Sequence, residues 1–236
     1  MTHELGEFAE KLEGSGHGAG ANLLRAAAKS WEKEGLIPPR LPEQKWATDL
    51  LNAEWERHAS RYVELGFHKV LELSERKYRE SLPRFGPQPE SFKGRFDIPR
   101  LVETRIDVAK QAELVRIRYL LEGYNVRDWE QDPRGYKTPK LPYVAWMQDG
   151  RAYLGKSVAS VRRLMATDER GATEFDGIAL YIMDHNILED HFIDLPGTSV
   201  ESDDAAGLDL WNGGPELNCD WVGGGYSRFG SASCGR

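Results

Sequence analysis

The chain has 236 residues, of which 40% are apolar and 29% charged, with a net charge of −7. That is enough for one sizeable core, alone or with a smaller extension. The acidic balance excludes bulk attraction to nucleic acid or an anionic membrane, no apolar run approaches the roughly 18 residues of a membrane span, and two cysteines make no disulfide framework.

The first residues carry neither a basic nor an apolar run, so no secretory signal is read and a reducing cytoplasm is the expected compartment. Residues 1–40 read as a helical N-terminal extension. It holds a short helix over 5–12, a flexible glycine- and serine-rich linker over 14–20, and a helix over 22–34 with Asn22 at its N-cap and Gly35 at its stop. A phosphate loop is the competing reading of those glycines, but Gly-Lys-Ser/Thr is missing and no strand precedes them. Pro38-Pro39-Arg40-Leu41-Pro42 marks a boundary, and residues 41–236 read as a single domain.

In that domain the periodicity of Ala47, Leu50, Leu51, Trp55, His58, Tyr62 and Leu65 predicts a helix over 43–65, with His58 packed on its apolar stripe. Ser74 opens a shorter helix that ends before Pro83. Alternation over 101–106 predicts a strand, after which Asp107 caps a helix; one long helix from Pro99 is the alternative. Asp149-Gly150 between 143–147 and 151–154 predicts a hairpin. Ser157 and Thr173 each begin a helix, the second with Asp176 in the capping-box position. A last helical piece containing Leu188 and Phe192 ends at Gly197. Residues 208–211 and 217–222 read as strands joined by Asn212-Gly213-Gly214-Pro215, and the closing segment as ordered loop. The fold class expected is α+β: a helical N-terminal part, then a compact domain with a small, mostly antiparallel sheet flanked by helices.

The residues Leu154-Gly155-Lys156-Ser157, Gly177-Ile178-Ala179-Leu180, His191 to Thr198, Pro215-Glu216-Leu217, Trp221 and Gly230 to Gly235 carry a resemblance. Over roughly 55–236 the chain resembles an uncharacterised bacterial domain-of-unknown-function family, found in actinobacteria and candidate-phylum bacteria. The resemblance implies a bacterial origin and no activity, cofactor or catalytic residue.

Three constellations carry candidate chemistry. Cys234, in a glycine-rich stretch near Arg228 and Arg236, is a candidate nucleophile, with His191 as its base and Asp194 orienting that base. Asp184, His185 and Glu189 are the candidate ligands of a divalent metal, set against a plain surface of capping interactions. Trp211, Trp221, Tyr226, Arg228, Ser231 and Ser233 form a candidate ligand-binding surface, glycine amides cradling an anion and aromatic rings stacking a flat molecule. The competing reading is that the aromatics staple the tail to the core. The expected function is a module binding a small molecule or a protein through that surface; the alternative is a hydrolase- or transferase-like enzyme. The sequence specifies no cofactor and no oligomeric state, and nucleic acid is not an expected partner.

Overall fold

The structure, a computed structural model, describes residues 43–133 and 135–236, with the backbone alone over 43–47. The extension over 1–40, its linker and its helices lie outside the described residues. Compactness divides the chain between Thr48 and Asp49, and Asp49–Arg236 forms one unit.

Its elements follow in order. Helices α1 (Glu43–Glu64), α2 (Phe67–Val70) and α3 (Glu75–Glu80) precede β1 (Ile98–Val102), α4 (Val108–Val115), β2 (Arg118–Tyr119), β3 (Val126–Asp128) and β4 (Tyr143–Gln148). Then come α5 (Val158–Leu164), β5 (Glu169–Gly171), α6 (Glu174–Met183), α7 (Ile187–Asp190) and the strands β6 (Phe192–Val200), β7 (Asp204–Trp211), β8 (Gly214–Trp221), β9 (Phe229–Ser231) and β10 (Ser233–Gly235). The unit is α+β, and its strand pairs are antiparallel except β2 with β8 and β6 with β9. There are two sheets rather than one: β1-β4-β10-β5, and β2-β8-β7-β6-β3 with β9 added to β6. No helix among the described residues is long and apolar enough to cross a membrane.

Helix α6 joins the two sheets. It packs on β1 of the first and on β6 and β7 of the second, and residues 176–182 are all buried. A helix without a polar face belongs in an interior. Gly177 lets it approach closely, since a Cβ there would lie 2.8 Å from both methyls of Leu195. The Thr173–Asp176 capping box forms as expected, as do the Ser74, Asp107 and Ser157 caps. Along α1, Trp55, His58 and Tyr62 are buried while Leu50 faces outward. His58 accepts from the Leu101 amide at Nδ1 and holds Glu54 at Nε2, fixing the helix to β1.

Four expectations fail for identifiable reasons. Asp149-Gly150 makes no hairpin: only Gly150 takes positive φ, residues Arg151–Tyr153 form a 3-10 turn, and β4 pairs with β1 and β10. The chain read as helix up to Gly197 is strand β6, whose register with β7 shifts between Leu195 and Ser199 and so accommodates Pro196. The strand placed at 101–106 is shifted to Ile98–Val102. The closing segment is paired rather than loop: β9 runs along β6, Ala232 donates to the Asp194 carbonyl and accepts from the Ala172 amide, and β10 enters between β4 and β5.

Candidate functional site

Cys234 lies opposite Met147 on one side and Arg170 on the other and is fully buried. Burial pushes its thiol well above the usual range; Arg170 opposes that rise, and the Asp176 carboxylate adds to it. Arg170 and Asp176 are themselves a buried pair, joined at 2.6 and 3.1 Å, and Asp176 also accepts from Tyr143 and Thr173. A neutral thiol in that setting is a poor nucleophile. His191, also buried, donates from Nε2 to the Asp149 carbonyl at 2.8 Å, and its Nδ1 has no partner. No hydrogen bond joins it to Cys234 or Asp194 among the described residues. The Asp194 carboxyl is raised to about 7, by burial first and then by Asp220; the Ser231 hydroxyl beside it pulls the other way, although it makes no hydrogen bond of ordinary geometry.

Of the expected metal ligands, His185 and Asp184 are engaged by other groups, and Glu189 is contacted at its backbone carbonyl. His185 donates from Nδ1 to the Tyr181 carbonyl and accepts at Nε2 from Arg61, so neither ring nitrogen is free. Asp184 accepts from the Asn186 amide, and Arg228 takes the carbonyl of Glu189. Among the described residues no three His, Cys, Asp or Glu side chains converge as a metal site requires.

The aromatic residues are exposed, Trp211 by 62% and Trp221 by 61%. They stand at opposite ends of β8: Trp211 is paired with Gly214, and Trp221 is seven residues further along. That spacing is roughly 23 Å along a strand, and the odd count puts them on opposite faces. They cannot wall one slot. Tyr226 leans on Phe229, Phe229 on Phe192, and Arg228 lies 4.4 Å above the Phe192 ring. Ser231 and Ser233 are interior, Ser233 donating to Glu169 and accepting from Gln148.

A hollow lies elsewhere among the described residues. Arg127, Trp129 and Glu130, at and beyond the end of β3, face Arg162 and Arg163 of α5, and Ser199, Asp203 and Val222 close the sides of a cavity of about 300 Å³. The β-register places this wall: Trp129 donates to the Gly197 carbonyl, Val222 donates to the Asp203 carbonyl, and Ala159 on α5 donates to Val222. Val222 is also the first residue of the glycine-rich loop, so the cavity borders that segment without using its tryptophans. The Arg162 guanidinium stacks 4.7 Å from the Trp129 ring.

No family model, curated protein or solved structure matches this chain. The site therefore has to be read from its own chemistry. Sequence reasoning passed over it because Arg162 and Arg163 look like the solvent side of a short helix. Residues 124–133 carry no periodicity that would assign them to an element. The one available signal was Trp129 beside charged residues, and on its own it specifies nothing.

Proposed function

We propose that this chain is a non-catalytic binding module whose small ligand enters the cavity between α5 and the ends of β3 and β6. The observation that carries this reading is the cavity itself: about 300 Å³, with an aromatic wall at Trp129 and convergent polar groups. Ligand pockets have that size and mixture of surfaces. The buried, neutral state of Cys234 and the separate engagements of His191 favour packing over nucleophilic catalysis. The resemblance to an uncharacterised bacterial family adds no activity to this reading, and a cytoplasmic setting suits it.

A thermal-shift panel of sugars, amino acids, nucleotides and organic acids tests it. At a ligand concentration a hundredfold above Kd the melting temperature rises by about 5 °C or more. Ala159→Phe, which fills the cavity but keeps the backbone bond to Val222, abolishes that shift, whereas Trp211→Ala at the distant hairpin preserves it. A panel without a stabiliser, or one whose effect survives Ala159→Phe, overturns the proposal.

A further inference from the structure

Arg162, like the buried Arg100, has no ion-paired carboxylate among the described residues, and unlike Arg100 it lines a cavity. Arg170 faces Asp176, and Arg105 faces Glu103. Arg162 has only neutral partners: Nε donates to the Pro196 carbonyl at 2.9 Å, and Nη2 to the Thr198 carbonyl at 3.2 Å and the Ser199 hydroxyl at 3.4 Å. Its Nη1 donates to no protein acceptor among the described residues. Burial alone lowers this guanidinium, to about 10, with no carboxylate to oppose the fall. Arg163, next along α5 and exposed, touches only the Ser160 hydroxyl and has no ion-pair partner among the described residues.

The two carboxylates on the rim are turned to other groups. Glu130 leans on Arg127 at 3.6 Å, and Asp203 accepts from Ser202 at 3.2 Å. Three arginines against two carboxylates leave an uncompensated positive charge in the cavity wall, on a molecule whose net charge is −7. A guanidinium withdrawn from water without a counter-charge is costly, and an incoming anion removes that cost through charge-assisted hydrogen bonds. Because Ser199 accepts from Arg162, its own hydroxyl hydrogen remains available to donate.

We infer that this cavity binds the phosphate group, or an equivalent tetrahedral oxyanion, of a small molecule, with Arg162 Nη1, the Arg163 guanidinium and the Ser199 hydroxyl as donors. The inference rests on the cavity being the ligand site and adds the chemical class of the ligand. Planar forked donors suit an oxyanion better than a single ammonium group would.

Calorimetric titrations at fixed ionic strength with inorganic phosphate, glycerol 3-phosphate and uncharged glycerol test it, alongside sedimentation with phosphatidic-acid vesicles. Phosphate and the monoester bind saturably, and glycerol does not. Arg163→Gln weakens binding about tenfold or more, as expected for one charged hydrogen bond. Arg162→Gln weakens it further. Because Arg162 also ties α5 to β6, circular dichroism checks that variant's fold, and the exposed Arg163→Gln keeps the test independent of folding. If neutral ligands bind and are blocked by Ala159→Phe while phosphate and its monoester do not bind, the anion assignment falls and the binding module stands. Phosphate binding unchanged in both arginine variants also overturns the assignment. Vesicle binding without binding of the soluble monoester overturns the small-molecule source. If no ligand binds at all, both readings fall together.

Discussion

Asp176 takes hydrogen bonds from Arg170, Thr173 and Tyr143 while wholly buried, and it adds to the effect of burial on its neighbour Cys234. Burial is the first reason the thiol stays protonated although a guanidinium is near, and the adjacent carboxylate adds to it. Cys219 differs: it is partly buried on β8, and its thiol is raised by burial, then by Asp204 and Asp220. At neutral pH the native protein is therefore expected to alkylate with iodoacetamide at Cys219 alone, and slowly, while Cys234 reacts only after unfolding. Peptide mapping by mass spectrometry reads this directly. Fast native alkylation of Cys234 would reinstate it as a nucleophile. Its residue type and glycine-rich neighbours suggested reactivity in the sequence. Its depth did not show there, because the partners that bury it come from β4, β5 and α6.

The closing strands act at the level of elements. β9 extends the second sheet, Ala232 crosses, and β10 separates β4 from β5 in the first. The crossing brings backbones together at glycines: a Cβ on Gly171 would lie 2.4 Å from the Gly197 nitrogen. Gly171→Ala should destabilise the fold by about 1–3 kcal/mol, as forced overpacking does. Gly86→Ala, with nothing within 4 Å of its Cβ, should leave the urea midpoint near wild type. Equal midpoints for the two variants would show that the sheets separate without cost. The β7–β8 hairpin was legible because Asn212 and Gly213 supply both positive φ values its turn needs, although the strands run longer than 208–211 and 217–222 and take in Gly214 and Pro215. Asp149-Gly150 offered the same signal, but Gly150 uses its φ of 109° to lie against Gly230. Caps were legible because they are local. The cavity was not, because it gathers residues from four separate stretches of chain around 127–131, 159–163, 199–203 and 222.

Across the molecule, three shifted groups among the described residues lead how stability follows pH between about 5 and 8. Asp194 and Glu174 are each raised to about 7, both chiefly by burial, with Asp220 and Asp128 adding respectively. His58 is lowered to about 4, by burial and then Arg100, with Glu54 opposing. Between the ordinary carboxyl range and pH 7 the folded state keeps two carboxyl protons that the unfolded chain has released. Up to about 6.5 it lacks the one imidazole proton that the unfolded chain still holds. The folded state therefore binds a net one proton more near pH 5 to 6, and two more as His58 drops out of the balance. Stability must fall as pH rises through this window, by about 1.4 kcal/mol per unit for each excess proton. Below it the sign reverses, since the lowered carboxyls of Asp176 and Glu54 and the neutral His58 lose their contributions as pH falls. The expected profile peaks near pH 5 and drops on the order of 3 kcal/mol by pH 8. Urea unfolding at pH 5 and pH 8 checks it, with Asp194→Asn recovering roughly half or more of the drop because its amide cannot ionise. Midpoints that rise from pH 5 to pH 8 would mean that Asp194 and Glu174 are ionised in the folded protein at little cost, with water or a cation reaching them.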